Sequence, residues 1–308
     1  MSAARHLCSL TASHFGATTG WKWSINGSKV VVGRDYFYLT NWIKKMTKNV
    51  VLKEKNNNGI LTLSFNRPDK LNSYNEYLMT SFRNGLSEAE ADPAVRLIVV
   101  RGAGKHFSAG ADISWFKELS AAPHAEQVRA ARLGADTMRK LNTLNKPSIA
   151  LVHNACFGGA TGFVAACDVA IASEDSRFAV TEVRLGITPA PILSLIVDAM
   201  GARQARRYAL TGETFGAEEA LRIGFVHKIC SVGGLDEAVE PIFEGMLKGA
   251  PGAIADTKHL ISTVAHKEYD VNLAEKMAVK SADGRTTEEG IEGFTAFLEK
   301  RKPAWAPD

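Results

Sequence analysis

The stretch KPSIALVHNACFGGATGFVAACDVAIA, residues 146–172, decides the fold. SIALVH is a short, continuously apolar run, as expected of a strand buried on both faces. Two adjacent glycines, Gly158 and Gly159, follow, then a run of small residues with helical character, then VAIAS, a second buried strand. Strand, glycine turn, helix and strand in so short a span imply an α/β layered domain with largely parallel strands. The glycine turn is a backbone device for holding something, yet the run after it carries no acid, base or nucleophile before Asp168.

The alternation extends outward. Toward the N-terminus, GILTLSFNRP sets Leu61, Leu63 and Phe65 against Thr62 and Ser64, a period-two strand ended by Pro68. Asn72 or Ser73 is placed to cap the next helix, predicted from about Glu76 to Ala91, because a short side-chain oxygen accepts a free amide of the first turn. VRLIVVRG is another buried strand, followed by the loop GAGKHFSAGADISWF and a long helix over about 125–144 that stops before Pro147. Beyond about Gly201 the pattern turns helical in RQARRYALTG, GAEEALRIG and APGAIADTKHLISTVA. Only GFVHKI reads there as a strand, and EGFTAFLEKRKPAW reads as an amphipathic helix with a basic end. The predicted organisation is an N-terminal extension over residues 1–48, an α/β core over 49–245 and a C-terminal helical region over 246–308.

Composition narrows the function classes. The chain has 308 residues, 45% hydrophobic and 23% charged, enough for one large domain or two modest ones. No run approaches the roughly 18 apolar residues of a membrane span. Cys8, Cys156, Cys167 and Cys230 have no metal spacing and read as reduced thiols of an intracellular protein. Of the net charge of +4, residues 1–48 carry +6, from seven Lys/Arg against Asp35 alone, so the remainder carries −2 and does not point to nucleic acid. The extension is acid-poor and Ser-rich, with Trp21, Trp23 and Trp42, and suits an organelle transit peptide. Its basic residues are sparse, however, and Gly16, Gly20, Asn26 and Gly27 spoil an amphipathic helix; a start placed upstream of the true one, at Met46, is the other reading. The expected location is cytoplasmic, or the mitochondrial matrix if the extension is a transit peptide.

Two glycine-bearing loops form a pair: FSAGAD, residues 107–112, and FGGATG, residues 157–162, each after a buried strand. In parallel α/β sheets such loops gather at one edge, where ligands bind. Small residues let main-chain N–H groups approach a ligand closely, and a helix starting near Ala160 adds free amides and the positive end of its dipole. Two N–H donors from different loops aimed at one oxygen make an oxyanion hole. Neither loop matches GxGxxG or a P-loop, which argues against dinucleotides and nucleoside triphosphates. His106 and His153 lack partners at metal or triad spacing, and Ser108 is not in G-x-S-x-G, which argues against a serine hydrolase. Asp112 reads as a loop brace, and Arg203 to Arg207 as an exposed or interface helix face.

HFSAGADI, the 146–172 stretch, SRFAVTEVRLGITP and TAFLEKRKPAW together resemble the enoyl-CoA hydratase/isomerase (crotonase) superfamily over about Val50 to Trp305. Within it the chain is most similar to bacterial hydratases of the methylglutaconyl-CoA and isohexenylglutaconyl-CoA type. The resemblance implies a crotonase fold of repeated β-β-α units, with a C-terminal helical part completing the site. It implies an acyl-CoA substrate, a homotrimer or hexamer, and no metal or redox cofactor, with CoA arriving as part of the substrate. It assigns the oxyanion-hole amides to Ala111 and Gly159, with Ala109, Gly158 and Gly162 beside the thioester. It places one glutamate at Glu182 and a second where this chain has Gly162. Residues 188–194, TPAPILS, also depart from the pattern, since many relatives are Gly-rich there.

Glu182 is accordingly the expected proton carrier: a carboxyl in an apolar pocket has a raised pKa suited to proton transfer near neutral pH. The plain alternative is an ion pair with Arg184 or Arg177. Trp115 and Phe116 line the acyl pocket or simply pack the core. Arg184 pairs a second substrate carboxylate or forms a structural salt bridge. The resemblance puts Lys70, Leu71 and Lys300 against CoA, although a solvated helix end explains Lys300 equally well. The expected function is hydration of a branched α,β-unsaturated acyl-CoA. A Δ3,Δ2-enoyl-CoA isomerase and a non-catalytic acyl-CoA-binding subunit are the alternatives, because one acid is missing.

Overall fold

The continuously apolar strands have a simple cause: both faces of the sheet they form are covered. The computed structural model describes residues 49–307. The extension over 1–48, with its transit-peptide and upstream-start readings, its tryptophans and Cys8, lies outside the described residues. Within the described residues the main sheet has six strands: β1 (Val51–Lys55), β2 (Ile60–Phe65), β3 (Leu97–Gly102), β4 (Ser148–Val152), β6 (Val169–Ser173) and β9 (Lys228–Cys230). They lie in the order β1-β2-β3-β4-β6-β9, parallel except for the antiparallel β1–β2 pair. Successive side chains of a strand point to opposite faces. Ile98, Val100, Ala150 and Val152 therefore enter one core, while Leu97, Val99, Ile149 and Leu151 enter another.

The first core is packed by α1 (Glu76–Ala91), α3 (His124–Thr143), α4 (Ala160–Ala166) and α5 (Leu193–Thr211); the short α2 (Ile113–Ser120) precedes α3. Its centre is aromatic: Phe65 lies 5.4 Å from Phe82, 5.5 Å from Phe107 and 4.8 Å from Phe163, ring centre to ring centre. Each such buried ring contributes roughly 1.5–3 kcal/mol by its removal from water. The second core is closed by Leu235, Val239, Phe243 and Leu247 of α7 (Leu235–Lys248), which follows the short α6 (Ala217–Arg222). The last helices are α8 (Pro251–Val264), α9 (Val271–Thr286) and α10 (Glu288–Glu299). No helix of the described residues is long and apolar enough to cross a membrane.

A smaller sheet, β5 (Ala155–Phe157), β7 (Arg177–Ala179) and β8 (Phe215–Gly216), stands beside the first. Strands β4 and β6 each continue into one of its short strands, the repeated β-β-α arrangement that the resemblance implies. Isolated bridges, Ser108 with Cys156 and Tyr74 with Ala111, extend this second layer to both glycine-bearing loops. These strands have two or three residues, too few to show a period, so the sequence patterns pass over them.

Two local expectations are corrected. The cap of α1 is Asn75, whose side chain accepts from Leu78 N at 3.0 Å, rather than Asn72 or Ser73. A 3-10 turn over Pro68–Lys70 and two left-handed residues, Leu71 (φ 52°) and Asn72 (φ 54°), delay the helix. Asn72 is buried and acts as a loop staple, accepting from Arg67 N and donating to the carbonyls of Ala103 and His106. In GFVHKI only Lys228–Cys230 is strand, because the amides of Phe225 and Val226 turn back to Ala220 O. Two ties of the C-terminal region lie at the edge opposite the glycine loops. Arg96, just before β3, donates to Trp305 O (2.7 Å) and Gly249 O (2.9 Å). Lys258 of α8 donates to Asp168, just before β6, at 2.8 Å. Both clamps sit at the N-terminal edge of the parallel strands, whereas the loops leave the C-terminal edge.

Candidate active site

The loops after β3 and β4 meet. Gly110 has φ +91°, and a Cβ on it would lie 2.6 Å from Phe157 O and 3.7 Å from Gly158 Cα, so only glycine permits the contact. Tyr74 N donates to Gly110 O and Asp112 N donates to Tyr74 O, both at 2.8 Å, which turns the intervening Ala111 N–H away from that pair. On the second loop, Gly158 N donates to Ala179 O at 2.8 Å, and Thr161 N and Oγ1 both donate to Gly158 O. Among the described residues neither Ala111 N–H nor Gly159 N–H donates to a protein acceptor. These are the amides following the touching pair Gly110 and Gly158, and Gly159 is the N-cap of α4. Two unused donors of this kind can receive one oxygen that gains charge.

The first loop is braced from behind. Arg67 Nη2 lies 2.8 Å from Asp112 Oδ2, with side chains only 13% and 15% exposed, and its Nη1 donates to Ser73 O. Asp112 also accepts from Ser114 N and so caps α2, the bracing role expected of it. Ala109 N donates to Leu71 O at 2.9 Å, which joins the Lys70–Leu71 turn to the loop, with both residues exposed. Trp115 and Phe116 are half-buried on α2, 5.6 Å apart, and the Trp115 ring meets the edge of Tyr74 at 6.4 Å.

Glu182 opens the 3-10 turn Glu182–Leu185 after β7. A Cβ on Gly158 would lie 3.4 Å from its Oε1, so the carboxyl sits against the second glycine loop. Its Oε2 is buried and has no hydrogen-bond partner among the described residues. Burial pushes its pKa up, only partly offset by the amides of Glu182 and Thr181. The ion-pair alternative fails here: Arg177 Nη1 donates to Ser176 O at 2.9 Å, and no salt bridge joins Arg184 to Glu182 among the described residues. Arg184 is exposed, with its Nε 2.9 Å from where a Gly212 Cβ would be, rather than turned into the site.

Gly162 does not line an open site. It is buried in α4, and a Cβ on it would overlap Ile192 Cγ2 and lie 2.9 Å from Ile192 Cβ and 3.5 Å from Met138 Cε. Ile192 belongs to TPAPILS, so the two departures expected from the resemblance touch each other: the aliphatic chain fills the space that a side chain at position 162 would need. Lys300 is the exposed left-handed C-cap of α10, on the segment that Arg96 anchors at the opposite edge.

Tyr74 was not legible as a site residue, since in LNSYNEYL an aromatic before a helix reads as packing. Its hydroxyl occupies the space a Cβ on Gly159 would need, with Cζ 2.9 Å from that point. Burial first, and the charge of Glu182 second, push its pKa up. His153 Nε2 lies 2.9 Å from Gly104 O, a structural tie, and burial leads in lowering its pKa. His106 Nδ1 is buried without a partner among the described residues. No group of three or more metal-ligating side chains converges among the described residues. Surface cavities of ≈ 240 and ≈ 260 Å³ lie elsewhere, the first against Val99 and Phe243, the second around Arg83 and Asp136. They carry none of these paired groups, so the site is defined by converging polar atoms rather than by cavity size.

The profile of the enoyl-CoA hydratase/isomerase family matches residues 55–308. A short-chain-enoyl-CoA hydratase of Clostridium acetobutylicum is 34% identical over 261 residues, 82% of this chain and 96% of that protein. A crotonyl-CoA hydratase of Syntrophomonas wolfei is 31% identical over 260 residues, 83% and 96% of the two chains. The crystal structure of an enoyl-CoA hydratase from Shewanella pealeana superposes with a TM-score of 0.81 at 34% identity, covering 86% of this chain and 98% of that one. A likeness of this extent, in sequence and in the sheet that presents the two loops, has one reading: the chain belongs to the enoyl-CoA hydratase/isomerase family and is an enzyme of that kind.

Proposed function

We propose that the protein adds water to a branched α,β-unsaturated acyl-CoA of the methylglutaconyl type. The observation that supports this most is the buried, unpartnered Oε2 of Glu182 beside a glycine turn whose amide is unused. In this reading the thioester oxygen accepts from Ala111 N–H and Gly159 N–H, which leaves Cβ electron-poor. Glu182 takes a proton from water as the oxygen bonds to Cβ. Negative charge collects on the thioester oxygen, and Glu182 returns the proton to Cα, so one water is added and the carboxylate is regenerated. Each amide donor contributes ~2.7–4 kcal/mol of transition-state stabilisation. Trp115 and Phe116 flank the acyl chain, and the Lys70–Leu71 turn receives CoA, which arrives with the substrate; no other cofactor takes part.

We also propose a homotrimer or hexamer, supported by apolar side chains exposed on the C-terminal helices, among them Val271, Phe297 and Leu298. Lys300 then reaches CoA only across a subunit boundary. The free thiols Cys156, Cys167 and Cys230 fit a reducing compartment, the cytoplasm or the mitochondrial matrix. One observation favours a Δ3,Δ2-enoyl-CoA isomerase as second reading: with Ile192 in the place of the second acid, a single carboxyl suffices to shuttle one proton. Incubating the protein with a panel of enoyl-CoAs in H₂¹⁸O separates the readings. A hydratase product carries one labelled water, an isomerase product keeps the substrate mass, and a non-catalytic subunit binds without turnover.

A further inference from the structure

We infer that the Tyr74 hydroxyl is the second hydrogen-bonding group of the reaction, holding the attacking water against Glu182 where the family pattern has a second carboxyl. The inference rests on the hydratase reading. The bridge between Tyr74 and Ala111 fixes the tyrosine backbone to the loop that carries one oxyanion amide. Its side chain crosses to the other loop, where the hydroxyl lies against Gly159, the residue with the second amide. The ring is held edge-on by Phe163 at 6.1 Å and by Trp115 at 6.4 Å. Tyr74 thus spans both halves of the site, and Gly159 has to be glycine to admit it.

Two polar side chains border the second glycine loop, Glu182 at Gly158 and Tyr74 at Gly159. Glu182 Oε2 is buried and has no hydrogen-bond partner among the described residues; the Tyr74 hydroxyl lies against Gly159, next in the chain to the glycine that Glu182 touches, and feels the charge of Glu182. Buried polar atoms are nearly always hydrogen-bonded, so the unpartnered carboxylate oxygen calls for a polar ligand such as water. The senses of the two side chains are complementary. A carboxylate only accepts, whereas a phenol that stays protonated both accepts and donates. A water between them gives one hydrogen to Glu182 and the other to Tyr74 Oη, leaving a lone pair free for Cβ. The water oxygen forms the bond to Cβ, its first hydrogen passes through Glu182 to Cα, and its second stays on the new hydroxyl. Tyr74 neither gains nor loses a proton; it positions the nucleophile. The place of the second acid is closed by Ile192, so this duty falls to a residue on another element.

The test compares hydration with a reaction that needs Glu182 and the two amides but no water. Wild type, Tyr74→Phe and Glu182→Gln are assayed for hydration of an enoyl-CoA and for exchange of the α-hydrogen of a saturated acyl-CoA in D₂O. In Tyr74→Phe, kcat for hydration is expected to fall about 10- to 100-fold with KM within about two-fold, while α-exchange stays within about two-fold of wild type; the fall is smaller than the ~10²–10⁴-fold for losing a group that itself transfers the proton, as befits a positioning residue. Glu182→Gln loses both. Hydration undiminished in Tyr74→Phe overturns the role of Tyr74 and leaves the hydratase reading intact. Equal loss of hydration and exchange makes Tyr74 a packing residue and overturns it too. Wild type that exchanges but hydrates none of the panel overturns the hydratase reading and this inference together. Preserved exchange also shows that the variant is folded.

Discussion

Gly162→Ala is expected to destabilise the protein, although the same change in most helices does the reverse. Gly162 lies inside α4, and replacing an interior helical glycine by alanine ordinarily stabilises by roughly 0.5–1 kcal/mol. Here the added methyl overlaps Ile192 Cγ2 and falls 2.9 Å from Ile192 Cβ. Overpacking of a filled core costs about 1–3 kcal/mol, so the net change is a loss of about 0.5–2 kcal/mol. Ile192→Ala alone leaves a cavity and costs roughly 2–5 kcal/mol. In the double variant the new methyl enters that cavity, and a favourable coupling of at least about 1 kcal/mol is expected. Urea denaturation of the four proteins gives the cycle directly. If Gly162→Ala is neutral or stabilising and the cycle shows no coupling, Ile192 does not fill this place, and the account of the missing acid falls with it.

Glu182→Gln should lower turnover by roughly 10²–10⁴-fold while acyl-CoA binding, followed by calorimetry, persists. The same substitution has a signed effect on stability. Because burial raises the pKa of Glu182, the folded state holds this proton more tightly than the unfolded chain, so the carboxyl does no harm below its ordinary pKa and destabilises increasingly as pH rises through the raised value. Denaturation should find the variant equal to wild type at about pH 4 and more stable than it at about pH 7.5; a difference independent of pH would contradict the burial argument. Asp112→Asn breaks the largely buried pair with Arg67 and should cost about 3 kcal/mol, with KM for acyl-CoA rising as the loop that carries Ala111 loosens; a change below about 0.5 kcal/mol would show that the brace is decorative.

Much of the fold was legible because burial on both faces writes itself into sequence. Leu97 to Val100 and Ile149 to Val152 serve two cores at once, so no polar residue interrupts them. The helix over Glu76–Ala91 and the glycine turn were readable for similar reasons, and the resemblance singled out Ala111, Gly159 and Glu182. The short second sheet was not readable, since two or three residues have no period, although it is this layer that carries both loops. The cap was misplaced by a turn: nothing local says that Leu71 and Asn72 go left-handed, a choice made when Asn72 is buried between Arg67, Ala103 and His106.

Local pattern by itself settled the layered α/β class and the glycines that let two loops touch, because periodicity and chain flexibility act within a few positions; the single carboxyl at Glu182 came from the resemblance. Which groups face one another was left to the tertiary structure. Residues 74 and 159 meet, as do 158 and 182, and 162 and 192, while Arg184 and Lys300 stand apart, because long-range packing alone decides which desolvated atoms share a space and which are left in water.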